Sequence, residues 1–280
     1  MNHANDAGVL YLSVGEKHAL HLAVSTYSLR RHWHGPVAII CDEASYALAQ
    51  RIALSDARRG AVSVIEPLKV DLASGVGRGM QYAHKTRLPE LSPFKRTIFI
   101  DADTVVKGDL SPIAPPDGMT TLTRFANWTT VGNKMKGRCE GWREVAPDHV
   151  KRMTTAEYPA LNTGVMGWSG DGGAFARAWR EMTMRRVSFI CDEIAAQLIY
   201  PDFPVKLLDD RFNASVIYSK IATEDVVVWH GHGKKFLRRP TGQAIFRPVY
   251  EAARRENWAG LADLPEPAWR FEAEQPDEED

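Results

Sequence analysis

The chain has 280 residues, 44% of them hydrophobic and 25% charged, the composition of a folded domain with a sizeable core. The 35 Lys/Arg and 35 Asp/Glu cancel to a formal net charge of zero, so the overall balance points neither to nucleic acid nor to an anionic membrane. No apolar run approaches the ~20 residues of a membrane span. The first residues, Met1 to Gly8, lack the apolar core of a secretion signal, and Cys41, Cys139 and Cys191 are odd in number and far apart. These features predict reduced thiols in a cytoplasmic protein.

In chain order, Val9–Val14 reads as a short buried strand and Glu16–Arg31 carries leucines and alanines at helical spacing. Val37–Cys41 is a second buried strand, and Asp42 is placed to cap a helix over Glu43–Arg59. Ala61–Ile65 reads as a strand stopped by Pro67. A Gly-rich loop, Gly75-Val76-Gly77-Arg78-Gly79, then precedes a helix over Met80–Leu91 and a strand over Thr97–Asp101. Strands alternating with helices predict an α/β fold with a mostly parallel sheet covered on both faces, and such sheets bind ligands beyond the carboxyl ends of their strands. The second half is more mixed: a strand at Asn162–Trp168, helices at Phe175–Arg186 and Asp192–Ile199, and a buried strand at Val226–Trp229. No internal repeat is visible.

The strongest local signal is Thr97-Ile98-Phe99-Ile100-Asp101-Ala102-Asp103, an apolar strand ending in two carboxylates. In extended backbone, positions i and i+2 face the same way, so both can reach one hard divalent cation, Mn²⁺ or Mg²⁺. Such a cation can hold a diphosphate and offset the charge of a departing nucleotide. An acidic strand-to-loop turn is the plainer reading, but ionised carboxylates at the end of a buried strand need a partner. Asp101-x-Asp103-x-Val105 also fits the nucleophile motif of haloacid-dehalogenase-like phosphatases, with Asp209-Asp210 as their late acidic pair. That family opens its fold with the motif, whereas here roughly a hundred residues of strand and helix come first.

Several further segments, in the same order as in one known family, complete the pattern. They are Val9-Leu10-Tyr11-Leu12-Ser13-Val14-Gly15, the stretch Tyr82–Leu88 with Lys85, Leu161-Asn162-Thr163-Gly164-Val165-Met166, Cys191-Asp192-Glu193, Arg211-Phe212-Asn213, and Val227–Lys235 with Trp229-His230-Gly231-His232-Gly233-Lys234-Lys235. From about Val9 to Phe236 the chain resembles the retaining glycosyltransferases of the GT-A fold, the group that includes glycogenin and bacterial lipopolysaccharide galactosyltransferases. The resemblance implies one GT-A domain over residues 1–255, with a nucleotide-binding half at 1–106, an acceptor-side half at 107–255 and an acidic, partly disordered tail at 256–280. It also implies a nucleotide-sugar donor, a UDP-hexose by analogy. Asp101, Asp103 and His230 would hold Mn²⁺ or Mg²⁺, with His232 competing for the histidine role. Ser13, Lys85, Lys234 and Lys235 would meet the nucleotide and its diphosphate. Asn162, Gly164, Asp192 and Glu193 would surround the sugar, the last two as the catalytic pair.

Two residues depart from the family pattern. The family's first strand leads into an acidic residue that reads the base, whereas this chain has Val14-Gly15-Glu16, with Glu16 as the substitute. Glu193 stands where the family commonly has Gln, and a carboxylate there offers a nucleophile that an amide does not. A catalytically silent sugar-nucleotide binder is the reading from another class, although a binder has little need of a third metal ligand. Basic residues concentrate at 124–152 (Arg124, Lys134, Lys136, Arg138, Arg143, Lys151, Arg152) and again at 234–255. The plainer reading is of ordinary surface patches; the sharper one is a basic rim that receives an anionic acceptor, on which Trp128 and Trp142 would stack. Trp168 and Trp179 are expected in the core or just behind the site.

Overall fold

The computed structural model describes residues 7–60, 65–71, 79–125 and 133–269, with Asn133 and Lys134 described by backbone alone. The glycine-rich stretch at 75–78, Trp128 and the tail at 270–280 lie outside the described residues.

The elements are β1 (Ala7–Ser13), α1 (Ala19–Leu29), β2 (Val37–Cys41), α2 (Glu43–Arg58), β3 (Ile65–Lys69), α3 (Met80–Ala83), α4 (Leu88–Leu91), β4 (Arg96–Ile100), β5 (Thr104–Val106), β6 (Thr120–Arg124) and α5 (Asn133–Glu140). They continue with α6 (Pro147–Thr155), β7 (Leu161–Ser169), α7 (Gly173–Arg185), α8 (Cys191–Ile199), β8 (Val205–Leu208), β9 (Ala214–Ser215), β10 (Val228–His230), α9 (Lys235–Arg238) and α10 (Pro240–Arg255). A sheet in the order β3-β2-β1-β4-β7-β6-β8 carries the fold, and a small sheet, β5-β10-β9, stands beside it. β3, β2, β1 and β4 pair in parallel, as do β6 and β8. β7 alone runs antiparallel to its neighbours β4 and β6.

Alternation along the strands explains why the sheet is covered on both faces. Val9, Tyr11, Ile39, Ile98 and Ile100 point into one apolar cluster, with Leu22 and Val24 of α1, Ile52 of α2 and Phe246 of α10. Their neighbours Leu10, Ala38, Ile40 and Phe99 point into the other, with Trp142, Trp179 and Leu198. Period-two alternation with apolar residues at both phases is what a doubly covered parallel sheet requires. A bidentate pair ties α1 to α2: Arg30 donates to Asp56 at 2.8 and 2.9 Å, and Asp56 also accepts from the backbone of Ile65 at 3.0 Å.

Four expectations change. Pro67 does not stop its strand but lies inside β3, paired with β2 at the sheet edge, where a missing N–H costs no ladder bond. The helix expected over Met80–Leu91 breaks into α3, a 3₁₀ turn at His84–Arg87 and α4. Pro89 has no N–H to give the carbonyl of Lys85, and Leu88 bonds it instead in the tighter geometry. Helix α1 begins at Ala19 rather than Glu16, after Gly15 at φ 68°. Finally, the first part of the expected tail is packed. Trp258, Ala259 and Leu261 are buried, and Trp258 meets Tyr27 edge-on at 5.8 Å and donates to Thr26 at 3.2 Å. Arg59 lies over both rings.

Truncating Trp258 to Ala should therefore cost about 3–5 kcal/mol, as for a large side chain removed from a core. A chain ended after residue 255 should lose at least as much. Urea unfolding reads both, and an unchanged midpoint for the shortened chain would place this segment outside the cooperative core.

Candidate active site

The topology gathers the site at one edge. β4 ends at Ile100, and the Asp101-Ala102-Asp103 turn carries the chain from the large sheet into β5 of the small one. Because β7 is antiparallel to β4, its first residues lie at this same edge: Ile100 pairs with Val165, and the Asp101 N–H donates to the Gly164 carbonyl at 2.7 Å. On the other side, His230 pairs with Thr104 in the β5–β10 ladder, and the Gly231 N–H donates to the Asp103 carbonyl at 2.8 Å. Two sheet ladders thus set one histidine and two carboxylates together. The His230 Nε2 lies 3.4 Å from Asp103 and 3.8 Å from Asp101.

Among the described residues these three form the one His/Cys/Asp/Glu group suited to a metal ion, with their ligand atoms within 4.8 Å of one another. The donor set fits the ion. His230 Nδ1 contacts Asn213 Oδ1 at 2.9 Å, and the Asn213 amide already donates to Thr123 at 2.9 Å and to Asn162 Oδ1 at 2.8 Å. With its nitrogen so committed, Asn213 presents oxygen to the ring, which places a hydrogen on Nδ1 and turns Nε2 toward the carboxylates, where it can donate a proton to Asp103 or, deprotonated, serve a metal. Without a metal, burial lowers the His230 pKa, but the Asp103 and Asp101 carboxylates outweigh it and the net direction is up. Asp103, though buried, is held well below the usual carboxylate range by His230 and by the Gly233 N–H.

A second carboxylate pair faces the first. Asp192 and Glu193 open helix α8, both buried. Lys85, turned inward by the 3₁₀ segment, donates to Asp101 at 3.0 Å and lies 3.2 Å from Asp192, while Thr163 donates to Asp192 at 2.7 Å. Burial pushes the Lys85 pKa down, but these two acids push it up further, so it stays cationic. Glu193 accepts from Asn162 Nδ2 at 2.6 Å on one oxygen and from Arg138 at 3.1 Å on the other. Burial raises its pKa to about 7, against the opposing pull of Arg138. Four carboxylates therefore meet two fixed cations, Lys85 and Arg138, an excess of negative charge that suits a divalent ion.

A cavity of about 690 Å³ opens over this floor. The eleven residues that the resemblance assigns to metal, donor and catalysis all line it: Ser13, Lys85, Asp101, Asp103, Asn162, Gly164, Asp192, Glu193, His230, Lys234 and Lys235. Lys17, His18 and Arg238 add polar groups to the lining, and Tyr82 and Phe189 meet edge-on at 5.4 Å. His232 also lines it, its ring stacked on His230 at 4.2 Å. Burial and the neighbouring His230 hold its pKa well below the ordinary histidine value.

Other expectations fail here. Glu16 is exposed and absent from the lining, where Leu12, Ser13 and Val14 stand instead. Trp142 is 1% exposed and belongs to the core, so it cannot stack on an acceptor, whereas Trp168 in the core and Trp179, which donates to the Asp192 carbonyl at 2.7 Å behind the site, lie where expected. Three members of the basic segment are paired within the protein: Arg143 bonds Glu140, Arg152 bonds Asp202, and Arg138 turns in to Glu193. Asp209 and Asp210, the late acids of the phosphatase reading, do not line the cavity; Asp209 caps a 3₁₀ turn and Asp210 accepts from Ser219 at 3.4 Å. Sequence reasoning gave Asn213 no role and put Arg138 on the rim. A buried glutamate in place of an amide does signal a nearby cation, but nothing in the sequence says which arginine supplies it.

No family model matches the chain, and no curated protein does. Solved structures do. The apo structure of a bifunctional glycosyltransferase, WbbM, superposes with a TM-score of 0.61 at 13% identity over 95% of this chain, which spans only 51% of WbbM. An active-site Gln-to-Glu mutant of LgtC gives 0.59 at 17% identity, over 91% of this chain and 99% of that one. The galactosyltransferase LgtC in complex with donor and acceptor sugar analogues gives 0.56 at 19% identity, over 92% and 98%. The fold is that of the GT-A glycosyltransferases.

One glycine controls the geometry of this floor. A Cβ on Gly164 would lie 2.3 Å from His230 Cε1 and 2.8 Å from Asn162 Oδ1. Gly164→Ala should displace the imidazole and cost about 1–3 kcal/mol by overpacking. Thermal unfolding reads the cost, and an altered His230 ring resonance the displacement. An unchanged resonance would mean that the ring is not held where it lies.

Proposed function

We propose that the protein is a metal-dependent glycosyltransferase that moves a hexose from a UDP-sugar to an acceptor hydroxyl with retention of configuration. The observation that carries this reading is the convergence of eleven residues, scattered from Ser13 to Lys235, on one cavity at the ligand-binding edge of a glycosyltransferase fold. Asp101, Asp103 and His230 would hold Mn²⁺ or Mg²⁺, which supplies charge neutralisation to a diphosphate. Lys234 and Lys235, which lead into α9, and Lys17 bring positive charge to the same cavity and suit the phosphates. The nucleoside would lie against Leu12, Ser13 and Val14 at the end of β1 rather than against Glu16. Three unpaired, buried cysteines support a reducing compartment, the cytoplasm. Among the described residues no helix is long and apolar enough to cross a membrane.

In the net reaction the bond from the anomeric carbon to the diphosphate oxygen breaks and a bond to the acceptor oxygen forms. The acceptor's proton leaves with the nucleoside diphosphate. Positive charge develops on the sugar ring as the first bond lengthens, and Asp192 and Glu193 supply fixed negative charge beside the cavity. Both oxygens of Glu193 are already engaged, one by Asn162 and one by Arg138, which favours an electrostatic role over bond formation.

Two experiments test this. UDP with Mn²⁺ should raise the melting temperature of the wild type, and Asp103→Asn should remove both that shift and transfer while leaving a folded protein; retained transfer would end the metal assignment. Glu193→Gln should lower transfer by about 10²–10³-fold or less, the scale of one lost electrostatic contribution. A glycosyl adduct on Glu193 in intact-mass spectra with donor alone would make it a nucleophile instead, and an inverted product would remove both versions.

A further inference from the structure

Arg138 lies on α5, in the basic stretch that the sequence suggests as an outer rim, yet its guanidinium reaches the first turn of α8 and donates to Glu193 Oε1 at 3.1 Å. Glu193 is 6% exposed and its other oxygen is bound by Asn162. An amide at this position would need no counter-ion. A buried carboxylate beside Asp192 does, and among the described residues Arg138 is the cation in contact with it.

We infer that Arg138 is the positioning residue that allows a carboxylate to stand in place of a neutral amide, favouring the ionised form of Glu193 and fixing it in rotation between α5 and β7. What Glu193 faces rests on the glycosyl-transfer reading above; the pairing itself does not. Clamped at both oxygens, the carboxylate presents a charge of set position to the sugar. Without Arg138, it would take up a proton and become a near-isostere of glutamine.

The groups facing Glu193 decide the sign of the pH effect. Arg138 from α5, Lys85 from the 3₁₀ turn and His230 from β10 favour its ionised form, while burial and Asp192 on its own helix oppose it. Its folded value, about 7, lies above the ordinary 4.5, so the folded protein keeps this proton longer than the unfolded chain. Its contribution to stability is present below about 4.5 and is lost as pH rises through about 7. Removing Arg138 should extend that loss to higher pH, and Glu193→Gln should abolish it.

The test is a double-mutant cycle of Arg138→Met and Glu193→Gln, read by thermal unfolding across pH and by transfer from a UDP-hexose. Each single change strands one partner, so the double variant should melt closer to wild type than the summed shifts predict, and its transfer should exceed the product of the single losses on the order of tenfold. The transfer profile of Arg138→Met should move to higher pH by about one unit or more. Arg138→Lys keeps the charge and should keep the wild-type profile, which separates loss of the cation from loss of packing. Additive melting shifts, or coincident pH profiles for wild type and Arg138→Met, overturn the assignment. Coupled melting shifts in a protein that transfers no sugar would uphold the pair and overturn the glycosyl-transfer reading instead.

Discussion

Four carboxylates on one cavity floor are the constraint to which the rest of the site responds. Asp101 and Asp103 come from a single turn, Asp192 and Glu193 from a single helix start, and the two pairs face each other at low exposure. Like charges so placed raise one another's pKa unless something compensates. Each carboxylate has a compensation, one of them shared: Lys85 bridges Asp101 and Asp192, His230 and the Gly233 N–H hold Asp103, and Arg138 with Asn162 holds Glu193. The compensations do not cancel the charge, and part of the excess lies at Asp101 and Asp103, which the His230 Nε2 faces.

The hydrogen bonds around this charge form one connected path. His230 leans on Asn213, Asn213 donates to Asn162, and Asn162 donates to Glu193. An asparagine can do this because it carries a donor and an acceptor at fixed separation, so committing one end sets the other. The His230 end and the Glu193 end of the cavity are therefore coupled through two amides. A change at either asparagine would alter the histidine's tautomer and the glutamate's ionisation together.

Much of this was legible in the sequence, and the reasons for the rest are physical. β2 was read to its last residue because five apolar residues between a Pro and an Asp cap leave little freedom. Strand periodicity puts Asp101 and Asp103 on one side, but in the structure they stand in the turn after β4, held by Gly164 on one side and Gly231 on the other. His230 needed a resemblance, since one histidine on a strand carries little information of its own. Lys85 was found, but its inward aim depends on a 3₁₀ break caused by Pro89, which helical periodicity conceals. β5, β6 and β8 were missed: three to five residues long, they owe their strand state to partners distant in sequence. Trp142 and Arg138 were misplaced for one reason. Their segment is polar enough to read as surface, yet α5 packs against α8, and Met135 and Cys139 of α5 and Trp142 of the turn after it are buried.

The backbone also records where the site imposes its demands. Four non-glycine residues among those described have positive φ, and two of them flank the carboxylates: Ile190 at 49°, just before α8, and His232 at 46°, just after His230. For a β-branched residue such as Ile190 this conformation is disfavoured, at a cost of about 1–3 kcal/mol. The neighbourhood holds it there. Trp179 bonds the Asp192 carbonyl from behind, and Gly79 packs so closely on Ser188 that a Cβ would fall 2.7 Å from its backbone nitrogen. A relaxed Ile190 would start the helix in another direction and carry Asp192 away from Lys85 and Thr163, and Glu193 away from Asn162 and Arg138. The strain is therefore the local cost of aiming two acids at one point, sustained by packing that the same chain provides.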